Sequence, residues 1–234
     1  NNVQINAGSV DNTQGKVIAV AGKNHLMADS LNNEQGLISA VAGDGEIATR
    51  QTINNTKGRI EAAKTQRITA SGVTNQQGVI VADGATLALN GGTLDNRSGS
   101  LLSQGALSLE SGALNNQSGF LASSGDFTLN SGDVDNTLGQ IGANQRLNAS
   151  FASLNNGGGA VKSVDAMTLN GSLLDNTNGT TFSGTRLIDS GRALSQAVQN
   201  GNWLDGGIAF LDTLGNAAAA LTDPIGMLVS IGFG

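Results

Sequence analysis

A motif of the form [Asp/Asn]-Asn-x-x-Gly recurs along this chain at an almost fixed interval. It occurs as Asp11-Asn12…Gly15, Asn32-Asn33…Gly36, Asn54-Asn55…Gly58, Thr74-Asn75…Gly78 and Asp95-Asn96…Gly99. It continues as Asn115-Asn116…Gly119, Asp135-Asn136…Gly139, Asn155-Asn156…Gly159 and Asp175-Asn176…Gly179. The second Asn steps by 21, 22, 20 and 21 residues and then by 20 to the end of the series. A period this short makes each repeat one supersecondary unit, which buries its apolar face only by stacking on its neighbours.

Aligned on the Gly, each period shows three short stretches of period-2 alternation, the pattern of a strand with one buried face. The first puts an apolar residue two before the Asn (Val10, Leu31, Ile53, Val73, Leu94, Leu114, Val134, Leu154, Leu174). In the second, Val17, Ile38, Ile60, Ile80, Leu101, Leu121, Ile141 and Val161 come two after the Gly, and an Ala or Ser comes two further on. The third carries a pair such as Leu87/Leu89, Leu107/Leu109, Phe127/Leu129 or Met167/Leu169, with weaker versions at Leu26/Ala28, Ile47/Thr49, Ile68/Ala70 and Leu147/Ala149. Three strands per turn make one coil of a parallel β-helix. At about 4.8 Å per coil, nine coils make a rod roughly 43 Å long.

In such a stack Asn12, Asn33, Asn55, Asn75, Asn96, Asn116, Asn136, Asn156 and Asn176 lie one above another, and their amides can bond along the column. The glycines Gly15, Gly36, Gly58, Gly78, Gly99, Gly119, Gly139, Gly159 and Gly179 are expected to take a positive φ at the corner. The longer early periods place their extra residues between the second and third strands, at Val20–His25 and Val41–Glu46, which makes that edge the expected site of any binding surface.

Composition narrows the function. The chain has 34 Gly, 1 Pro, 3 % aromatic residues and a net charge of −6. No basic patch calls for nucleic acid. With 0 Cys and 1 His there is no Cys/His metal site, and no cofactor is expected. Asp11, Asp95, Asp135 and Asp175 share a column but are separated by Asn32, Asn54, Thr74, Asn115 and Asn155, without a cationic partner in the column. The paired carboxylates of a glycoside hydrolase are therefore not formed, and the chain is expected not to be an enzyme. Beginning at Asn1 in mid-pattern, it reads as a piece of a longer chain.

Written out, the rung L-[DN]-N-x-x-G-x-[LI]-x-[AS]-x-G-x-L-x-L-x-[AS]-G resembles the repeat of the filamentous-hemagglutinin family, and Leu94 to Gly112 carry it almost in full. The resemblance covers about residues 10–188. It implies a right-handed β-helical filament belonging to a large exoprotein of Gram-negative two-partner secretion. Such proteins are displayed on the cell surface and include adhesins and contact-dependent growth-inhibition effectors. The implied partners are an outer-membrane transporter and a target-cell receptor. The family offers no catalytic residue to carry over.

Residues 1–188 thus read as repeat and 189–234 as a helical cap or the start of a further domain. Leu194 and Val198, and then Leu204, Ile208 and Leu211, are spaced as helix faces, and Asp223-Pro224 is a helix start. Trp203 reads as an anchor on the last rung. The apolar run after Pro224 makes membrane contact through 224–234 an alternative to the cap, though it is short of the ~20 residues that span a bilayer.

Overall fold

A computed structural model describes residues 1–88 and 92–184. Every element among them is a β-strand, and every strand pairing is parallel, each strand bonding to its equivalents one turn before and one turn after. The chain forms an all-β parallel solenoid of about nine turns. The helical segment expected at 189–234, the membrane contact at 224–234, the Trp203 anchor and Leu89 lie outside the described residues.

Three faces run along the solenoid. The first sheet stacks short strands such as Thr93–Asp95, Ala113–Asn115 and Asp133–Asp135. The second stacks Lys16–Ala19, Leu37–Ala40, Ser100–Ser103, Phe120–Ser123, Gln140–Ala143, Ala160–Ser163 and Thr180–Ser183. The third stacks Leu107–Glu110 and Phe127–Asn130 on neighbouring stretches. Not every turn breaks into three strands. Val3–Asp11, Asn24–Asn32, Leu147–Asn155 and Met167–Asp175 run from the third sheet into the first, and Arg59–Thr69 and Val79–Ala88 run from the second into the third. Arg59–Thr69 contains no Gly and turns its corner through a register shift between Ala62 and Thr65. Two later turns use Ser-x-Gly at that corner, Ser103 to Gly105 and Ser123 to Gly125, and end the strand there.

The core is a set of columns. Ile38, Ile60, Ile80, Leu101, Leu121 and Ile141 form one, and Leu31, Ile53, Val73, Leu94, Leu114 and Val134 another, all nearly inaccessible to water. Burying each such side chain contributes about 1.5–3 kcal/mol. The small inward column holds Ala or Ser in every turn. At two Ser positions the hydroxyl finds a turn carbonyl, Ser103 Oγ donating to Ala106 O at 2.8 Å and Ser123 Oγ to Gly125 O at 2.8 Å, whereas Ser163 Oγ donates to Ser183 Oγ at 3.2 Å.

The third sheet corrects the sequence alignment. In strand register Ile68 pairs with Leu87 and Leu87 with Leu109, so Leu107 pairs with Ala85 rather than with Leu87. Leu26, Ile47, Ile68, Leu87 and Leu109 share one column, and Asn24, Gly45, Gln66, Ala85 and Leu107 share the next. The alternation repeats every two residues, so a slip of two preserves inside and outside and is invisible to the pattern. Consequently only part of the extra length lies at Val20–His25 and Val41–Glu46. The period of 22 also places a residue between Gly45–Thr49 and Thr52–Asn54. Gln66, 1 % exposed, fills the space above Gly45, where an added Cβ would lie 2.1 Å from its Oε1.

Candidate functional site

The corner motif is a turn closed by a backbone hydrogen bond from the Gly N–H to the Asn carbonyl, 2.9 Å for Gly15 and Asn12 and 3.0 Å for Gly99 and Asn96. The positive φ falls on the residue before the glycine, at Gln14, Gln35, Lys57, Gln77, Ser98, Ser118, Leu138, Gly158 and Asn178. This corrects the expectation for the corner glycines, whose own φ is ordinary. The glycine is needed for space instead. A Cβ on Gly119 would stand 2.2 Å from the Asn96 carbonyl oxygen and 2.5 Å from Asn116 Oδ1, and the other corners repeat these clashes. Each non-glycine residue in the left-handed region costs about 1–2 kcal/mol, which the surrounding turn sustains.

The Asn side chains point inward from this turn. Asn12 Nδ2 donates to Asn33 Oδ1 at 2.7 Å, and the chain of bonds runs on through Asn55, Asn75, Asn96, Asn116, Asn136 and Asn156 to Asn176. Each Nδ2 also reaches carbonyls. Asn116 Nδ2 lies 3.3 Å from Gly119 O and 3.1 Å from Gln140 O. From Asn33 to Asn156 the side chains are closed to solvent, and their donors and acceptors are consumed within the column. Bonded from turn to turn and closed to solvent, the column offers a ligand no accessible polar atom.

The residue before the Asn faces outward and caps the same turn. Asp11, Asn32, Asn54, Asp95, Asn115, Asp135, Asn155 and Asp175 each accept the backbone N–H two residues on, at 2.9–3.3 Å. That Asx turn explains why the position is Asp or Asn. The Thr13 hydroxyl and N–H hold the Asp11 carboxyl below its usual range, and Thr177 does the same for Asp175. Burial pushes Asp95 up, but Arg97 and Gln76 bond to it and the net displacement is downward. Each of these carboxylates caps its own turn, and Asp11, Asp95 and Asp135 also accept an amide N–H from a neighbouring rung. No group of three or more His, Cys, Asp or Glu side chains that could hold a metal occurs among the described residues.

A charged depression lies on the early turns, with a volume of about 240 Å³, lined by Lys23, Asn24, His25, Asp44, Gly45, Glu46, Thr65 and Arg67. Its charges run up the stack: Lys23 pairs with Asp44 at 3.2 Å, and His25 Nδ1 lies 2.9 Å from Glu46 Oε2. Exposed Val20, Met27 and Val41 belong to the same turns. On the later turns the outward residues Leu102, Phe120 and Ala122 of the second sheet are buried. Sequence reasoning passed over that flank, although a column reading Val81, Leu102, Ala122 on an outward position was a visible signal.

The haemagglutinin repeat model matches residues 1–61, 41–131 and 128–202. No curated protein and no solved structure matches the chain. With the repeat spanning most of its length and the corner geometry recurring in every turn, the chain belongs to the haemagglutinin repeat family.

Proposed function

We propose that this chain is a segment of the shaft of a secreted, surface-displayed haemagglutinin-like exoprotein, which extends and presents an adhesive or toxic tip in a contact-dependent growth-inhibition effector. The solenoid and the repeat fit a structural shaft, and the observation that carries the reading is the unbroken internal Asn column. A side chain whose every polar atom is spent on the next turn serves rigidity along one axis, which is what a spacer needs. In this reading an outer-membrane transporter of two-partner secretion carries the parent chain out of a Gram-negative cell, and a target-cell receptor is met by the tip. Residues 1–188 form the shaft, and 189–234 are a helical cap on it or the start of a downstream domain.

An adhesin is the second reading, favoured by the charged depression and the exposed Val20, Val41 and Met27 beside it. Two variants of the parent exoprotein separate the two. Deleting residues 97–136, two whole turns between equivalent ladder positions, is expected to shorten the shaft by about 10 Å and leave killing of contacted cells intact. Replacing Lys23 and Arg67 by Ala is expected to leave killing and cell attachment unchanged. Lost attachment in the second variant, with secretion normal, would establish the adhesin instead.

A further inference from the structure

One inward column of the third sheet changes character along the rod. Val3, Ala85, Leu107, Phe127, Leu147 and Met167 stand in it as apolar residues, but its second, third and fourth members are Asn24, Gly45 and Gln66. Asn24 is 2 % exposed and Gln66 1 %, so both amides are removed from bulk solvent. Their hydrogen bonds fix which end of each amide is oxygen. Gln66 Nε2 donates to the Arg67 carbonyl at 3.2 Å, and Asn24 Nδ2 to the Ser39 and Val17 carbonyls at 3.4 and 3.5 Å. Turning either amide over would set its oxygen against a carbonyl oxygen. The two amide oxygens are therefore acceptors, and no protein donor meets them. Asn24 Oδ1 is closed off without a partner, and Gln66 bonds only through its nitrogen among the described residues.

We infer that an ordered water molecule is bound inside the solenoid between Asn24 Oδ1 and Gln66 Oε1, beside Gly45. A water carries two donor hydrogens, and the site presents two acceptors that each lack one. Gly45 brings them within reach of a single molecule. It puts no side chain between its neighbours in the column, and Gln66 Oε1 leans down to within 2.1 Å of where a Gly45 Cβ would stand. Asn24 is the next turn down, a step of about 4.8 Å, which a water bonded at about 2.8 Å on either side spans. A buried acceptor left unmade is costly, so ordered water meets such groups where no side chain does. The later turns, with Ala85, Leu107 and Phe127 in this column, pose no such demand. The site lies directly behind the charged depression, because Asn24, Gly45 and Gln66 alternate with Lys23, His25, Asp44, Glu46, Thr65 and Arg67 along the same strands. Beyond the shaft role, this gives the wall of that depression a hydrated backing where the later turns have an apolar one.

Solution NMR on the full chain tests the site, read as cross-relaxation between water and the side-chain amides of Asn24 and Gln66. The expected result is contact with a long-lived water at both amides. That contact should be lost at Asn24 in Gln66→Met, which keeps the length of the side chain and removes its oxygen. Asn96 and Asn116, whose amides bond each other, should show no such contact in either protein. No water contact at Asn24 in the parent chain overturns the inference, and so does a contact that survives Gln66→Met unchanged. A shift of the two amide signals when potassium replaces sodium in the buffer also overturns it, because the occupant would then be a cation. Should Gln66→Met fail to fold by circular dichroism, Asn24→Leu gives the same test from the other side, with the loss read at Gln66.

Discussion

Asn96 Nδ2 lies 2.7 Å from Asn116 Oδ1, and both side chains are completely closed to solvent. One amide thus satisfies the next across 20 residues of sequence, and the bond repeats turn after turn.

Replacing a member in mid-column should cost more than its own bonds. Asn116→Ala or Asn136→Ala leaves the Oδ1 above without its donor and reduces the Nδ2 below to its longer carbonyl contacts, at about 1–3 kcal/mol for a buried group left unmade. Gln117→Ala removes only an exposed bond to Asp135 and should shift the thermal midpoint little. Equal midpoint shifts in the three variants would refute a stabilising role for the column.

Two adjacent positions should respond with opposite signs. Gly139→Ala drives a methyl to 2.1 Å from the Asn116 carbonyl and 2.6 Å from Asn136 Oδ1, and is expected to destabilise by several kcal/mol. Leu138→Gly relieves a φ of 56° on an exposed side chain, and is expected to raise stability by on the order of 1 kcal/mol. Denaturant midpoints of the two variants check both signs, and a stabilising Gly139→Ala would mean the corner glycine is there for another reason.

Acid should loosen the turns in a defined window. Asp95 sits below its ordinary 3.8 because hydrogen bonds from Arg97 and Gln76 outweigh the upward push of burial, and Asp126 is lowered by Arg146. A carboxyl whose folded pKa is depressed binds protons more weakly folded than unfolded. Its stabilisation is complete above the unfolded pKa and is lost as pH falls through the folded one. The thermal midpoint should hold steady from neutral pH to about pH 5 and decline below about pH 4. Asp95→Asn should flatten that decline, and an unchanged acid limb would exclude Asp95 from it.

The chain is expected to release no product from acidic or neutral polysaccharides in a reducing-end assay, because the outward carboxylates are spent on separate turns and pair with no second acid. Activity abolished by one point substitution would overturn this.

What the sequence determined by itself is the repeat, the parallel stack and the inward columns, because identical corners at a constant interval force equivalent residues over one another. Leu94, Leu114 and Val134 were legible as core for that reason. The Asn column could be read as well, since its spacing is the spacing of the turns. The tertiary structure decided three things that the spacing left open. It moved Leu87 from the Leu107 column to the Leu109 column, a slip of two that alternation permits. It shifted the left-handed residue from Gly119 to Ser118, because the glycine answers to the Asn96 carbonyl one turn away, a contact absent from any single repeat. It also buried Leu102 and Ala122 on an outward face, since strand alternation assigns a side to each residue but does not fix how far that side is closed to water.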